Sequence, residues 1–280
     1  MVVTVVGLGL IGGSMALDLK NRGFADRVIG VDHNINHTNI ALLSKIVDEI
    51  DDLSSAVKRS DLIVIATPID ATKEILPKVL DQINGSIKVV TDVGSTKNGI
   101  GEVVKHHKNR KHYVASHPMA GTEFSGPLAA ISRLFDYKNV IICDHEYSSE
   151  YALSLVKQMY ETLHMKMIFM ESEQHDVSAA YVSHMSHISS FVLSLAVLEK
   201  EQNNKNILNL ASGGFASTVR LAKSSAEMWV PVFEQNADHV LEVMDTYIKK
   251  MQTFKDAIKT NDKEQLTELI QQANQIQKIL

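Results

Sequence analysis

The chain opens MVVTVVGLGLIGGSMALDL, and three glycines in that stretch restrict the fold more than any other feature of the 280 residues. Gly7, Gly9 and Gly12 have G-x-G-x-x-G spacing, with Leu10 and Ile11 inside the turn. An apolar, β-branched run precedes them and a helical pattern follows, which is the context that gives such glycines a purpose. Gly7 allows the tight turn, Gly9 lets a pyrophosphate approach the backbone, and Gly12 lets helix and strand touch. Free N–H groups and the helix dipole then favour an anion at the helix start. The next strand pattern ends VIGVDHN, which puts Asp32 where a carboxylate accepts from adenosine ribose hydroxyls. A 2′-phosphate would be repelled there and no arginine follows at once, so the expected cofactor is NAD rather than NADP. Thr67 and Pro68, in ATPID after a further strand, are expected along the adenosine side.

Short β-branched runs alternate with amphipathic stretches through the first part: 2–6, 28–31, 62–66, 89–92, 113–116, 140–143 and 165–170 read as strands. Several are apolar throughout, as in strands covered on both faces. The expectation is α/β followed by all-α: a Rossmann-like, doubly wound, mainly parallel sheet over 1–170 and a helical domain over 171–280. Residues 172–200 and 231–260 read as long helices, and Asn261 with Glu264 reads as a capping box for the last one. No further domain is expected. So much apolar helix surface in a small domain predicts a homodimer. Cys143 is the one cysteine, which excludes an intramolecular disulfide and suggests a reducing, cytoplasmic setting. The start lacks a basic leader, and no uninterrupted apolar run is expected to span a bilayer. Net charge is −5 without a long basic block, so neither nucleic acid nor a membrane is expected as a partner.

Chemistry-bearing residues gather at predicted strand ends. Ser95 in TDVGSTK follows one strand, and His117 in ASHPMAGTEFSGP closes the next, on the edge where open α/β sheets place their sites. An imidazole there can take a hydroxyl proton as hydride leaves carbon, or simply bond the loop backbone; spacing leaves both open. His184 and His187 in YVSHMSHISS share a helix face. They read as buried, bonded histidines or as metal ligands; two histidines without further ligands make a poor metal site, and no metal is expected. Arg220, among small residues after Gly213, is a carboxylate anchor or a surface cation.

The blocks VGLGLIGGSMALDL, DVGSTK, SHPMAGTEFSG, HDVSAAYVSHMSH and GGFASTVRLAKSSAEMW occur in this order and resemble the signature blocks of the prephenate dehydrogenase family. The resemblance spans almost the whole chain, and its most specific part is His-Pro-x-Ala-Gly-x-Glu. It implies oxidative decarboxylation of prephenate to 4-hydroxyphenylpyruvate with NAD, in tyrosine biosynthesis, by a dimer joined through the helical domain. It further implies that His117 is the base, that Ser95 lies near the nicotinamide and the substrate hydroxyl, and that Glu123 stands at the entrance. The same resemblance places His184, His187, Gly213 and Arg220 in the substrate pocket, with Arg220 holding a carboxylate. Ser225 and Ala226 depart from the family's usual Asp-Pro. Three rival readings remain: an arogenate dehydrogenase, a β-hydroxyacid dehydrogenase and a catalytically idle NAD-binding protein. The second lacks its expected lysine on the long helix, and the third need not keep His117, Glu123 and Arg220 together.

Overall fold

A computed structural model describes residues 1–83, 87–203 and 206–279. In chain order its elements are β1 (Val2–Val6), α1 (Leu10–Asn21), β2 (Arg27–Val31), α2 (Ile35–Leu43), β3 (Glu49–Ile50), α3 (Leu53–Arg59), β4 (Leu62–Ile65), α4 (Ile69–Asp81), β5 (Val89–Asp92), α5 (Asn98–Glu102), β6 (Tyr113–Pro118), β7 (Asn139–Cys143), α6 (Glu150–Thr162) and β8 (Lys166–Met170). Helices follow: α7 (Ser172–Ala179), a π turn over Ala180–His184, α8 (Met185–Asn203), α9 (Gly213–Thr218), α10 (Ala226–Gln235), α11 (Ala237–Lys259) and α12 (Lys263–Asn274). The strands form one sheet in the order β3-β2-β1-β4-β5-β6-β7-β8. Every pairing is parallel except β6 with β7. The chain leaves β1 for β2 and β3 on one side, then returns to β4 on the other, so β1 and β4 flank the reversal of strand order where such sheets bind ligands.

Alternation along each strand builds two cores. Val3, Val5, Val28 and Val64 face one way, onto Met15 and Leu19 of α1 and Val156 and Met159 of α6. Val6, Ile63, Ile65 and Val90 face the other, onto Leu76 and Val79 of α4, Ile100 of α5, and Trp229 and Val232 of α10. Helices thus cover both faces, which is why the strands read as unbroken apolar runs. Because α10 lies on the sheet side, residues 1–236 form one compact unit and 237–280 another.

One expectation needs correction. Asn261 does not cap α12: it sits at φ 54° as the left-handed residue closing α11, with Asp262 N–H donating to Ala257 O and its own N–H to Ile258 O. Asp262 is the N-cap, accepting from Gln265 N–H at 2.9 Å. The continuous helix Ser172–Gln202 is long and apolar enough, by length and composition, to cross a membrane. The apolar residues are spread among serines and histidines, so no unbroken run marks it in the sequence. Its first half carries His175, Asp176 and His184 buried in hydrogen bonds, while Val182, Val192, Leu195 and Leu198 are exposed.

Candidate active site

The β1–α1 turn is built as its glycines require. Gly7 adopts φ 94°, and a Cβ there would stand 2.5 Å from Ala66 O. A Cβ on Gly12 would lie 1.9 Å from Gly7 O. Gly9 differs: a Cβ there meets nothing within 4 Å, so open space lies above the backbone where the turn's geometry seats a pyrophosphate. Gly9 caps α1 without any side-chain bond, and Leu10 and Ile11 begin the helix, so the first-turn N–H groups keep their donors for an anion. Asp32, at the end of β2, accepts from Leu8 N–H and Asn34 N–H, each at 2.8 Å. A carboxylate has further lone pairs, so Asp32 retains acceptor capacity for ribose hydroxyls. Thr67 bonds Thr72 at 2.9 Å and Pro68 leads into α4, both after β4 on the same edge. The residues present therefore fit an NAD molecule.

On that edge β6 carries His117 one residue before its end. A fully buried ion pair between Lys97 and Asp92 holds β5 and β6 together there, with Lys97 Nζ also donating to Ser116 O at 2.8 Å and Tyr113 Oη to Asp92 at 2.6 Å. Ser95 is partly buried in the loop between Asp92 and Lys97. His117 Nδ1 lies 2.8 Å from His175 Nε2, and His175 Nδ1 lies 2.7 Å from Asp176 Oδ1. Asp176 also accepts Lys97 N–H at 2.7 Å and Asn98 N–H at 2.8 Å. Burial, and then the neighbouring His175, Lys97 and His184, hold the His117 imidazole well below its usual pKa, which favours the uncharged ring.

Around the π turn the other histidines meet an aromatic cluster. His187 lies against Trp229 with ring centroids 3.6 Å apart, and its Nδ1 donates to Ser183 O at 3.0 Å. His184 is buried edge-on to Trp229 and accepts at Nδ1 from Asn236 Nδ2, which also donates to Asp176 O. Burial lowers the His184 pKa to about 4. Burial also lowers that of His187, with nearby Arg220 adding to the effect. Trp229 Nε1 is buried with no hydrogen-bond partner among the described residues. Arg220 and Glu123 approach to 3.7 Å. Gly213 is exposed at the start of α9 with open space at its Cβ position. Ser225 caps α10 without a side-chain bond. Among the described residues no group of three His, Cys, Asp or Glu could hold a metal.

His175, Asp176, Lys97 and Asn236 were not singled out from the sequence. The pair His-Asp heading a long apolar helix was the available signal, because burying both needs a partner for each.

A dinucleotide turn with a histidine on the same sheet edge is the arrangement of an NAD-dependent dehydrogenase. Residues 15–169 match the nucleotide-binding domain of prephenate dehydrogenase, and 171–272 its dimerization domain. The prephenate dehydrogenase of Bacillus subtilis is 30% identical over 266 residues, covering 94% of this chain and 72% of that one. The Aquifex aeolicus prephenate dehydrogenase structure superposes with a TM-score of 0.90 at 27% identity, over 99% of each chain. Its complex with hydroxyphenyl propionate and NAD+ superposes at 0.85 and 26%, over 100% of this chain and 98% of that one. The arogenate dehydrogenase of Synechocystis superposes at 0.81 and 28%, over 99% of each. The chain belongs to the prephenate dehydrogenase family.

Proposed function

We propose that this chain oxidises prephenate with NAD, releasing carbon dioxide and 4-hydroxyphenylpyruvate, as a step of tyrosine biosynthesis. The observation that carries the reading is His117: an imidazole at the sheet edge shared with the glycine turn, hydrogen-bonded on one nitrogen, with burial disfavouring its protonation. NAD seated on the β1–α1 turn supplies the hydride acceptor. His117 takes the proton of the ring hydroxyl, so positive charge does not build up on the forming carbonyl. Ser95 bonds the same hydroxyl. Arg220 holds a substrate carboxylate, and Glu123, 3.7 Å from it, is the glutamate at the mouth of the pocket on this reading. His187 lines the pocket beside Trp229, whose orphan N–H is a donor a substrate oxygen would satisfy. His184 and Asn236 brace that wall, and Gly213 leaves room for the α9 loop to approach. Loss of the ring carboxylate aromatises the product, so the protein's share is positioning and one proton transfer.

The chain works as a homodimer in the cytoplasm on this reading. The apolar residues exposed on α8, and separately Leu241, Ile248 and Met251 on α11, support a partner copy.

The test is nicotinamide reduction by the purified chain with prephenate or arogenate and NAD or NADP, repeated with His117→Ala. Turnover with prephenate and NAD is expected, with the variant slowed about 10²- to 10⁴-fold and its NAD binding retained. Turnover with arogenate alone would move the substrate assignment to the Synechocystis-like alternative. A variant within about threefold of wild type would remove His117 from the chemistry.

A further inference from the structure

We propose that His175 and Asp176 form a positioning relay that holds His117 in the single tautomer able to receive a proton from substrate. The inference rests on the reading of His117 as the base.

The directions of the hydrogen bonds carry it. An ionised carboxylate only accepts. Asp176 Oδ1 accepts Lys97 N–H at 2.7 Å and Oδ2 accepts Asn98 N–H at 2.8 Å, so two backbone groups of another segment fix the carboxylate plane. His175 Nδ1, 2.7 Å from Oδ1, must then carry its hydrogen. With its one hydrogen placed on Nδ1 by the carboxylate, His175 presents a lone pair at Nε2. It lies 2.8 Å from His117 Nδ1, so His117 Nδ1 carries the hydrogen and Nε2 is bare. The opposite tautomer would set two lone pairs face to face between the rings and would leave Nε2 with a hydrogen, unable to act as base.

The relay is also rigid. His175 and Asp176 are each 2% exposed, and Asn236 Nδ2 ties the Asp176 carbonyl at 2.8 Å. Asp176 therefore has two duties: it orients His175, and it holds the loop carrying Ser95 through Lys97 and Asn98. His175 serves only the relay through its ring, which makes it the residue to change. His117 faces His175 from α7, Lys97 from the loop after β5 and His184 from the π turn; of these, only His175 is hydrogen-bonded to it among the described residues.

The experiment is ¹⁵N spectroscopy of the histidine rings in the full chain at neutral pH, with the His117 signals assigned by their loss in His117→Ala, alongside kinetics with prephenate and NAD. In wild type, Nε2 of His117 is expected to give the signal of a bare ring nitrogen. His175→Phe keeps ring volume but offers no acceptor. It should give mixed tautomers at His117 and lower kcat about ten- to a hundredfold, with KM for both ligands within about threefold. His175→Gln, whose amide oxygen can accept from Nδ1–H, should recover most of that loss; a merely structural role would not be rescued this way. A protonated Nε2 in wild type overturns the relay without any variant, even if His175→Phe fails to fold. So does a His175→Phe enzyme within about threefold of wild-type kcat while His117→Ala is crippled; that outcome leaves the base reading intact. If His117→Ala is itself fully active, the base reading falls and the relay with it.

Discussion

His117 is surrounded by groups that disfavour its protonation: burial first, then His175, Lys97 and His184. A base works only when unprotonated, so the rate should fall as pH drops through its pKa. That pKa is depressed, so the acid limb of kcat/KM should lie below the 6.5 of a free imidazole, and a pH–rate profile for prephenate oxidation checks this. His184 gives a separate prediction about stability. Its folded pKa is about 4 against 6.5 for a free imidazole, so between those values the unfolded chain binds more protons. The stability it contributes is present above 6.5 and is lost as pH falls toward 4, by as much as about 3 kcal/mol. Urea midpoints across that window should drop on acidification and drop less in His184→Gln, whose amide can still accept from Asn236. The site was legible only in part. Gly7, Gly9, Gly12, Asp32 and His117 stood out because they follow strand patterns closely. Lys97, His175 and Asp176 did not, because what gives them meaning is contact across long separations: His117 with His175, Lys97 with Asp176.

The β1–α1 turn separates binding from folding within five residues. Gly9 has φ −78° and open space at its Cβ, so Gly9→Ala should fold within about 1 kcal/mol of wild type while raising the NAD concentration needed. Gly12→Ala would drive a Cβ to 1.9 Å from Gly7 O and should lose stability instead. Thermal melts beside NAD titrations of the two variants check the contrast. The seven predicted strands all form: most are buried apolar runs, while β8, partly exposed throughout, was legible from its run of Met, Ile and Phe. β3 escaped notice since two residues, Glu49 and Ile50, show no periodicity. The antiparallel entry of β7 was invisible for another reason: an apolar run has no direction until its partner is known. The α11–α12 junction was misread by one residue because Asn is favoured both as an N-cap and in the left-handed position that ends a helix.

At the scale of the molecule, the exposed apolar residues of α8 make its association state testable. Sedimentation velocity of the wild-type chain is expected to give the mass of two chains, and Leu195→Glu, which puts a charge on that exposed face, should shift it toward one. A wild-type monomer would leave the face without its proposed occupant. Whether such a face and the histidines can both be served by one helix depends on rotation. In an uninterrupted α-helix each residue advances about 100°, which would set His175 and His184 about 180° apart and His175 and His187 about 120° apart. The π turn over Ala180–His184 takes up one more residue per turn and sets everything beyond it back by about 100°. The angles become about 80° and about 20°, so His187 returns nearly to the azimuth of His175. The helix therefore has two phases, and a single-residue deletion inside that turn would leave its composition almost unchanged while turning one half of the helix out of step with the other.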